Sequence, residues 1–198
     1  MATAASIAVP NFSFEAPAIT NQDGFEGVVP TDWVQNTGAN TNAGIQLGTV
    51  TTPDYTGVTG AQLSYLNGAT SIGSLTDLHT IALGDVYTLT VAAAGRADFT
   101  SSGFRIQLTN SIFTSFSSSS AINPVDDYAL NDYTISYTVA AGDPLIGQGL
   151  RINLINENES NQTSFDNVRL TVDNIPEPST SLVLISGLAL LGLRRRRA

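Results

Sequence analysis

The sequence predicts an all-β fold, an antiparallel β-sandwich of the jelly-roll kind with about nine strands. A short C-terminal transmembrane helix is expected after it. Three observations predict this. Short segments alternate apolar and polar residues with a period of two, between turns rich in Gly, Asn, Asp and Pro. No amphipathic helical pattern occurs before residue 179. The chain then ends in an uncharged apolar run and an arginine cluster.

Residues 1–10 hold no Lys or Arg and no long apolar stretch. They read as the small-residue end of a signal peptide or a disordered N-terminus, with a secretory leader expected upstream. The sandwich is therefore expected over residues 11–173. Weaker strands are expected at 11–15, 44–50, 61–66 and 80–83. The clearer ones begin at 86–91, where Tyr87, Leu89 and Val91 point one way. Phe104, Ile106 and Leu108 alternate with Arg105, Gln107 and Thr109. Residues 132–139 place Tyr133, Ile135, Tyr137 and Val139 on one face. Leu150, Ile152 and Leu154 make the next strand, and Val168, Leu170 and Val172 the last. β-Branched and aromatic residues favour strands because they pack on a pleated surface. Loops are expected at 16–43, 51–60, 92–103, 111–131 and 156–164, with the serines at 115–120 as a flexible tip. Residues 174–178 link the body to a tail at 179–198.

Composition narrows the function. The 198 residues suffice for one domain, and 42% hydrophobic against 13% charged residues excludes a disordered chain. The net charge is -9, and four of the eight basic residues are the terminal arginines. So acidic a body repels phosphate backbones, so nucleic acid is not an expected partner. With no cysteine there is no disulfide, thiolate nucleophile or Cys/His zinc cluster. A Ser-His-Asp triad would have to use His79, the single histidine.

The tail reads in three blocks: Pro176-Glu177-Pro178, the apolar run 179–193, and Arg194, Arg195, Arg196 and Arg197. As a helix the apolar run is roughly 22 Å long, short of the ~30 Å hydrocarbon core. It spans only with bilayer thinning and outward-snorkelling arginines. The arginines keep that end cytoplasmic, which places the body outside the inner membrane. These residues resemble the PEP-CTERM protein-sorting signal. The resemblance implies a transient inner-membrane anchor that an exosortase, a membrane transpeptidase, recognises at Pro176, Glu177 and Pro178 and removes. The aromatic residue usual soon after that motif is absent here. The implied destination is the cell surface or extracellular matrix, with exopolysaccharide as an associated partner.

The body carries a second resemblance. Asn11-Phe12-Ser13-Phe14-Glu15 near its start and Phe165-Asp166-Asn167-Val168-Arg169-Leu170 near its end look like galactose-binding-like and carbohydrate-binding-module jelly rolls. That resemblance implies a structural calcium held by Glu15 and Asp166, whose hard oxygens suit the ion. Trp33, the only tryptophan, is a candidate sugar platform, although its place at a strand start also suits a core role. Tyr55 and Tyr128 are candidate loop platforms or loop anchors. No motif selects a catalytic pair of carboxylates. The expected function is therefore an exported, non-enzymatic surface or matrix protein that binds exopolysaccharide. The alternatives are a matrix scaffold without a specific ligand and a polysaccharide hydrolase.

Overall fold

The computed structural model describes residues 4–37, 42–51, 53–96, 103–122, 128–157 and 162–174. Among these lie thirteen strands in chain order: β1 (Ala5–Ile7), β2 (Phe25–Glu26), β3 (Trp33–Thr37), β4 (Ala43–Leu47), β5 (Gln62–Asn67), β6 (Thr70–Ser74), β7 (His79–Thr80), β8 (Asp85–Gly95), β9 (Phe104–Asn110), β10 (Ser115–Ser118), β11 (Asn131–Thr138), β12 (Gly149–Asn156) and β13 (Gln162–Asn174). They form two antiparallel sheets. One runs β11-β8-β13-β5-β4-β2, with β1 also paired to β13. The other runs β10-β9-β12-β6-β3, with β7 paired to β12.

The period-two alternation drives this arrangement. Tyr87, Leu89 and Val91 of β8 are fully buried, as are Phe104, Ile106 and Leu108 of β9 and Leu150, Ile152 and Leu154 of β12. They meet in one core between the sheets. Phe104 stands at its centre, edge-on to Tyr133 at 5.0 Å and to Phe165 at 5.5 Å, a geometry that suits the ring quadrupoles.

The long strand β13 breaks the alternation once. Phe165 and Val168 both face the core although they are three positions apart, an odd spacing for one strand face. A bulge between Asp166 and Arg169 reconciles this, with Asn167 in the left-handed region at φ 47°. An extra residue reverses the facing of everything after it. Asp166, next to the core-facing Phe165, points away from the core, and the bulge brings Val168 and Leu170 back to it.

The structure corrects several expectations. The sheet begins at β1, where Ile7 pairs with Leu170, so residues 5–7 are a strand and no disordered remnant. Residues 11–15 form a turn: Asn11 and Phe14 have positive φ, and Val168 N donates to Phe12 O at 2.9 Å. The serine cluster is strand β10 on β9. Strand β3 begins at Trp33, as its place after Pro30 suggested, inside a stretch otherwise expected as loop, and β6 lay unrecognised in Ser-, Thr- and Gly-rich sequence. The tail (Pro176, Glu177, Pro178, the apolar run and Arg194 to Arg197) lies outside the described residues. Among the described residues no helix is long and apolar enough to cross a membrane.

Candidate functional site

The outer face of the seven-stranded sheet is roofed by two loops. Thr56 N donates to Tyr128 O, and Leu130 N to Thr56 O, both at 3.0 Å. This ties the 53–61 loop to the segment from residue 128 onward. Beneath it, Tyr55, Leu63, Ala94 and Tyr128 form a second small core. Tyr55 and Tyr128 meet edge to face at 5.0 Å.

Beside that core a polar chain crosses three strands. Arg96 Nη1 donates to Gln162 Oε1 at 2.9 Å. Gln162 Nε2 donates to Gln46 Oε1 at 2.9 Å, and Gln46 Nε2 to Ser164 Oγ at 3.3 Å. The Tyr55 hydroxyl meets Ser164 Oγ at 2.9 Å. Gln46, Gln162 and Ser164 are buried, so their mutual bonds offset their desolvation. Burial raises the Tyr55 hydroxyl above its ordinary pKa, against the lowering effect of its bond to Ser164.

This chain forms the floor of a cleft of about 300 Å³. Asp23, Phe25, Val50, Tyr65, Asn67 and Arg96 complete its lining with the two glutamines. Gly44 makes room for the aromatic wall: a Cβ there would meet the Tyr65 ring and Glu26 O at 2.4 Å. Phe25 is 51% exposed and forms the rim. The cleft therefore offers amide, guanidinium and carboxylate groups beside the exposed Phe25 ring, with the buried Tyr65 behind them.

Glu15 and Asp166 lie at the other end of the same face. Glu15 Oε1 accepts from Ala61 N at 2.9 Å and Gln62 N at 2.8 Å. Asp166 accepts from Thr59 N and Asn167 N, both at 2.6 Å. Asp166 is fully buried. Burial is the main cause that raises its pKa to about 7, and the Glu15 charge adds to it. Among the described residues neither carboxylate is paired with an arginine. Two carboxylates that share one turn supply hard oxygens of the kind a divalent cation takes. No group of three or more His, Cys, Asp or Glu side chains that could hold a metal occurs among the described residues.

The three aromatic candidates are placed differently from a sugar platform. Trp33, Tyr55 and Tyr128 are only 5%, 6% and 5% exposed. Trp33 packs on Phe14 at 5.1 Å, and its Nε1 donates to Asn11 O at 3.4 Å. The two tyrosines anchor the roof from beneath. Each ring gains more from packing than from exposure, because aromatic burial carries a large apolar area. Gln46, Arg96 and Gln162 were not singled out by sequence reasoning. No local motif marks them, and they converge only through strand pairing. His79 sits outside the cleft, its Nε2 3.7 Å from Asp85.

A family model described as HpiC1 cyclase matches residues 5–171. A PEP-CTERM protein-sorting motif matches residues 174–198, which bears out the reading of the tail as an exported protein's exosortase signal. No curated protein matches. Among solved structures, the Stig cyclase Fisc from Fischerella sp. TAU is similar, with a TM-score of 0.72 and 21% identity. The match covers 87% of this chain and 99% of that one. The CBM22-1 xylan-binding domain of Paenibacillus barcinonensis Xyn10C has a TM-score of 0.55 at 13% identity, over 88% of this chain and 99% of its own. A CBM4 module has a TM-score of 0.52 at 16% identity, over 84% of this chain and 100% of its own. At such identities the likeness is one of fold, and it bears out the jelly-roll resemblance. With its sandwich matched over residues 5–171, the chain belongs to the HpiC1-like cyclase family, joined to a PEP-CTERM sorting tail.

Proposed function

We propose that this protein is exported, handled by an exosortase at Pro176-Glu177-Pro178, and delivered to the cell surface or matrix, where its body binds exopolysaccharide without catalysing a reaction. The single observation that carries the binding reading is the cleft floor, where Arg96, Gln162 and Gln46 form one hydrogen-bonded chain, anchored from beneath by Ser164, beside Tyr65 and Phe25. Amides both donate and accept, which suits sugar hydroxyls. The fold shared with a xylan-binding domain and a CBM4 module supports the same reading. In this proposal the apolar run is a transient inner-membrane anchor and Arg194 to Arg197 keep its end cytoplasmic. Glu15 and Asp166 hold a structural calcium ion, which neutralises them and fastens the 59–62 turn.

The test is a glycan screen of the full chain, with calcium and with chelator, that includes exopolysaccharide from the producing organism. Saturable binding that Gln162→Ala and Gln46→Ala abolish is the expected result. No binding by a folded protein would overturn the reading in favour of a matrix scaffold.

Family membership favours a second reading, a cyclase. One solved Fischerella cyclase carries 4-(1H-indol-3-yl)butan-2-one, so that compound is the discriminating probe. Saturable binding of it at the cleft, in place of glycan, would move the assignment to an enzyme.

A further inference from the structure

Three turns meet at the end of the sandwich where β13 stops: 81–84 before β8, 111–114 between β9 and β10, and 139–148 between β11 and β12. Gly147 N donates to Ile81 O at 2.8 Å, and Ile81 N to Gln148 O at 2.9 Å. Asn110 Nδ2 donates to Gln148 Oε1 at 3.0 Å. These bonds hold the three turns side by side. Each presents one large aliphatic side chain to solvent: Leu83 is 40% exposed, Ile146 42% and Ile112 80%. Exposed aliphatic residues on adjoining turns make a patch, which marks an interaction surface in a way that scattered ones do not.

The patch is nearly free of charge. Asp143 is the one charged residue on the three turns, and its carboxylate is turned into its own loop. Its Oδ2 accepts from the Tyr137 hydroxyl at 2.6 Å and its Oδ1 from Leu145 N at 2.9 Å. Asp77, which borders the patch through its bond to Ser111, is paired with Arg151 at 2.7 Å. The chain leaves the sandwich beside this patch. Asn174 Nδ2 donates to Asp85 Oδ1 at 3.3 Å, and Asp85 Oδ2 accepts at 3.2 Å from the amide of Ala82, the neighbour of Leu83.

Only residues 175–178 separate Asn174 from the apolar run that starts at Ser179. Fully extended, the connection from Asn174 to Ser179 reaches at most about 18 Å. An anchor formed by that run therefore keeps this end of the sandwich against the bilayer. We propose that the patch is a membrane-docking surface: while the tail is inserted, Leu83, Ile112 and Ile146 enter the headgroup region of the same bilayer. This inference rests on the anchor reading of the tail. The short connection selects the occupant, because it brings lipid within reach of the patch. With no Lys or Arg on the three turns, the contact draws on apolar burial and not on headgroup charge. Gln162, at the other end of β13, lies roughly 40 Å from Asn174 along the strand, so docking leaves the cleft directed away from the membrane.

A chain without cysteine accepts single thiol labels cleanly. Leu83→Cys, Ile112→Cys and Ile146→Cys each receive an environment-sensitive dye. Ala69→Cys is the control, in the exposed β5–β6 turn at the opposite end. The full chain is reconstituted into vesicles of phosphatidylethanolamine and phosphatidylglycerol, with and without nitroxide-labelled lipid. The protein is expected to float with the vesicles. Nitroxide lipid is expected to quench the three patch labels about twofold, as for side chains at the headgroup boundary, and to leave the Ala69 label bright. The three positions are independent, so a variant that folds poorly is replaced by the other two. Flotation with unquenched patch labels overturns the docking surface and leaves the anchor reading standing. So does a blue shift at the patch that grows with protein concentration without quenching, which would assign the patch to a second copy of the chain. Protein that fails to float overturns the anchor reading and this inference with it.

Discussion

Glu15 and Asp166, 151 positions apart in the chain, grip one turn from its two ends. Glu15 takes the amides of Ala61 and Gln62, and Asp166 takes the amide of Thr59. Between them Gly60 has φ +91°, and a Cβ there would lie 2.4 Å from Glu15 Oε1. The turn is thus shaped by two carboxylates that disfavour each other's charge, and it belongs to the loop that covers the Tyr55 and Tyr128 core.

A cation between these carboxylates would remove that repulsion. Chelation is expected to lower the melting temperature by several degrees, on the order of 1–2 kcal/mol for a chain of this size. Added calcium restores it. Calorimetry of Glu15→Gln should find the response to chelator gone. An equal response in the variant and the parent would refute the site.

The glutamine chain makes the cleft sensitive to single changes. Gln162→Ala leaves Gln46 and Arg96 each without one partner, at a cost of about 1–3 kcal/mol. Urea unfolding measures this. Gln162→Glu keeps the shape and gives Arg96 a charged partner, so it is expected to retain more stability than the alanine variant.

Trp33 separates packing from binding. Trp33→Ala is expected to cost about 3–5 kcal/mol and to leave glycan affinity unchanged under conditions where the variant is folded. The parent's fluorescence maximum is expected at short wavelength, as for a ring 5% exposed. Emission typical of a water-exposed indole would contradict the packing.

The bond from the Tyr137 hydroxyl to Asp143 Oδ2, 2.6 Å long, gives a pH dependence. That bond, more than burial, pushes the Tyr137 pKa up to about 12. An unfolded tyrosine titrates near about 10, so the fold favours the neutral phenol. Its contribution is complete below pH 10 and is lost as pH rises from 10 to 12. Melting temperatures from pH 9 to 11.5 are expected to fall more steeply for the parent than for Tyr137→Phe. Parallel slopes would rule this out.

Much of the fold was legible because a half-buried strand writes its facing into alternate residues. Tyr87, Leu89 and Val91 state their side of the sheet without reference to any partner. Strand β6, Thr70–Ser74, states nothing of the kind, since Ser71 and Gly73 are strand residues only because β3 and β12 flank them. The bulge at Asn167 was hidden for a similar reason: one inserted residue has no composition of its own. Glu15 and Asp166 were legible through two short motifs. The cleft was not, because Gln46 and Gln162 are ordinary glutamines 116 positions apart until β5 brings their strands together. Tyr55 and Tyr128 could be placed on loops, yet which way a loop folds depends on distant residues such as Leu63 and Ala94.

Strand β13 ends at Asn174, where the tail begins, and it lies inside the sheet, bonded to β8, β5 and β1. Tension applied at Asn174 would therefore run along the axis of an interior strand. Ten registered pairs with β8 share that load at once in shear, and none can be unzipped singly from an edge. The Asn174 Nδ2 bond to Asp85 Oδ1 is the first rivet to feel it. In the proposed sorting route, force on the C-terminus would meet the sheet along its interior rather than at an edge.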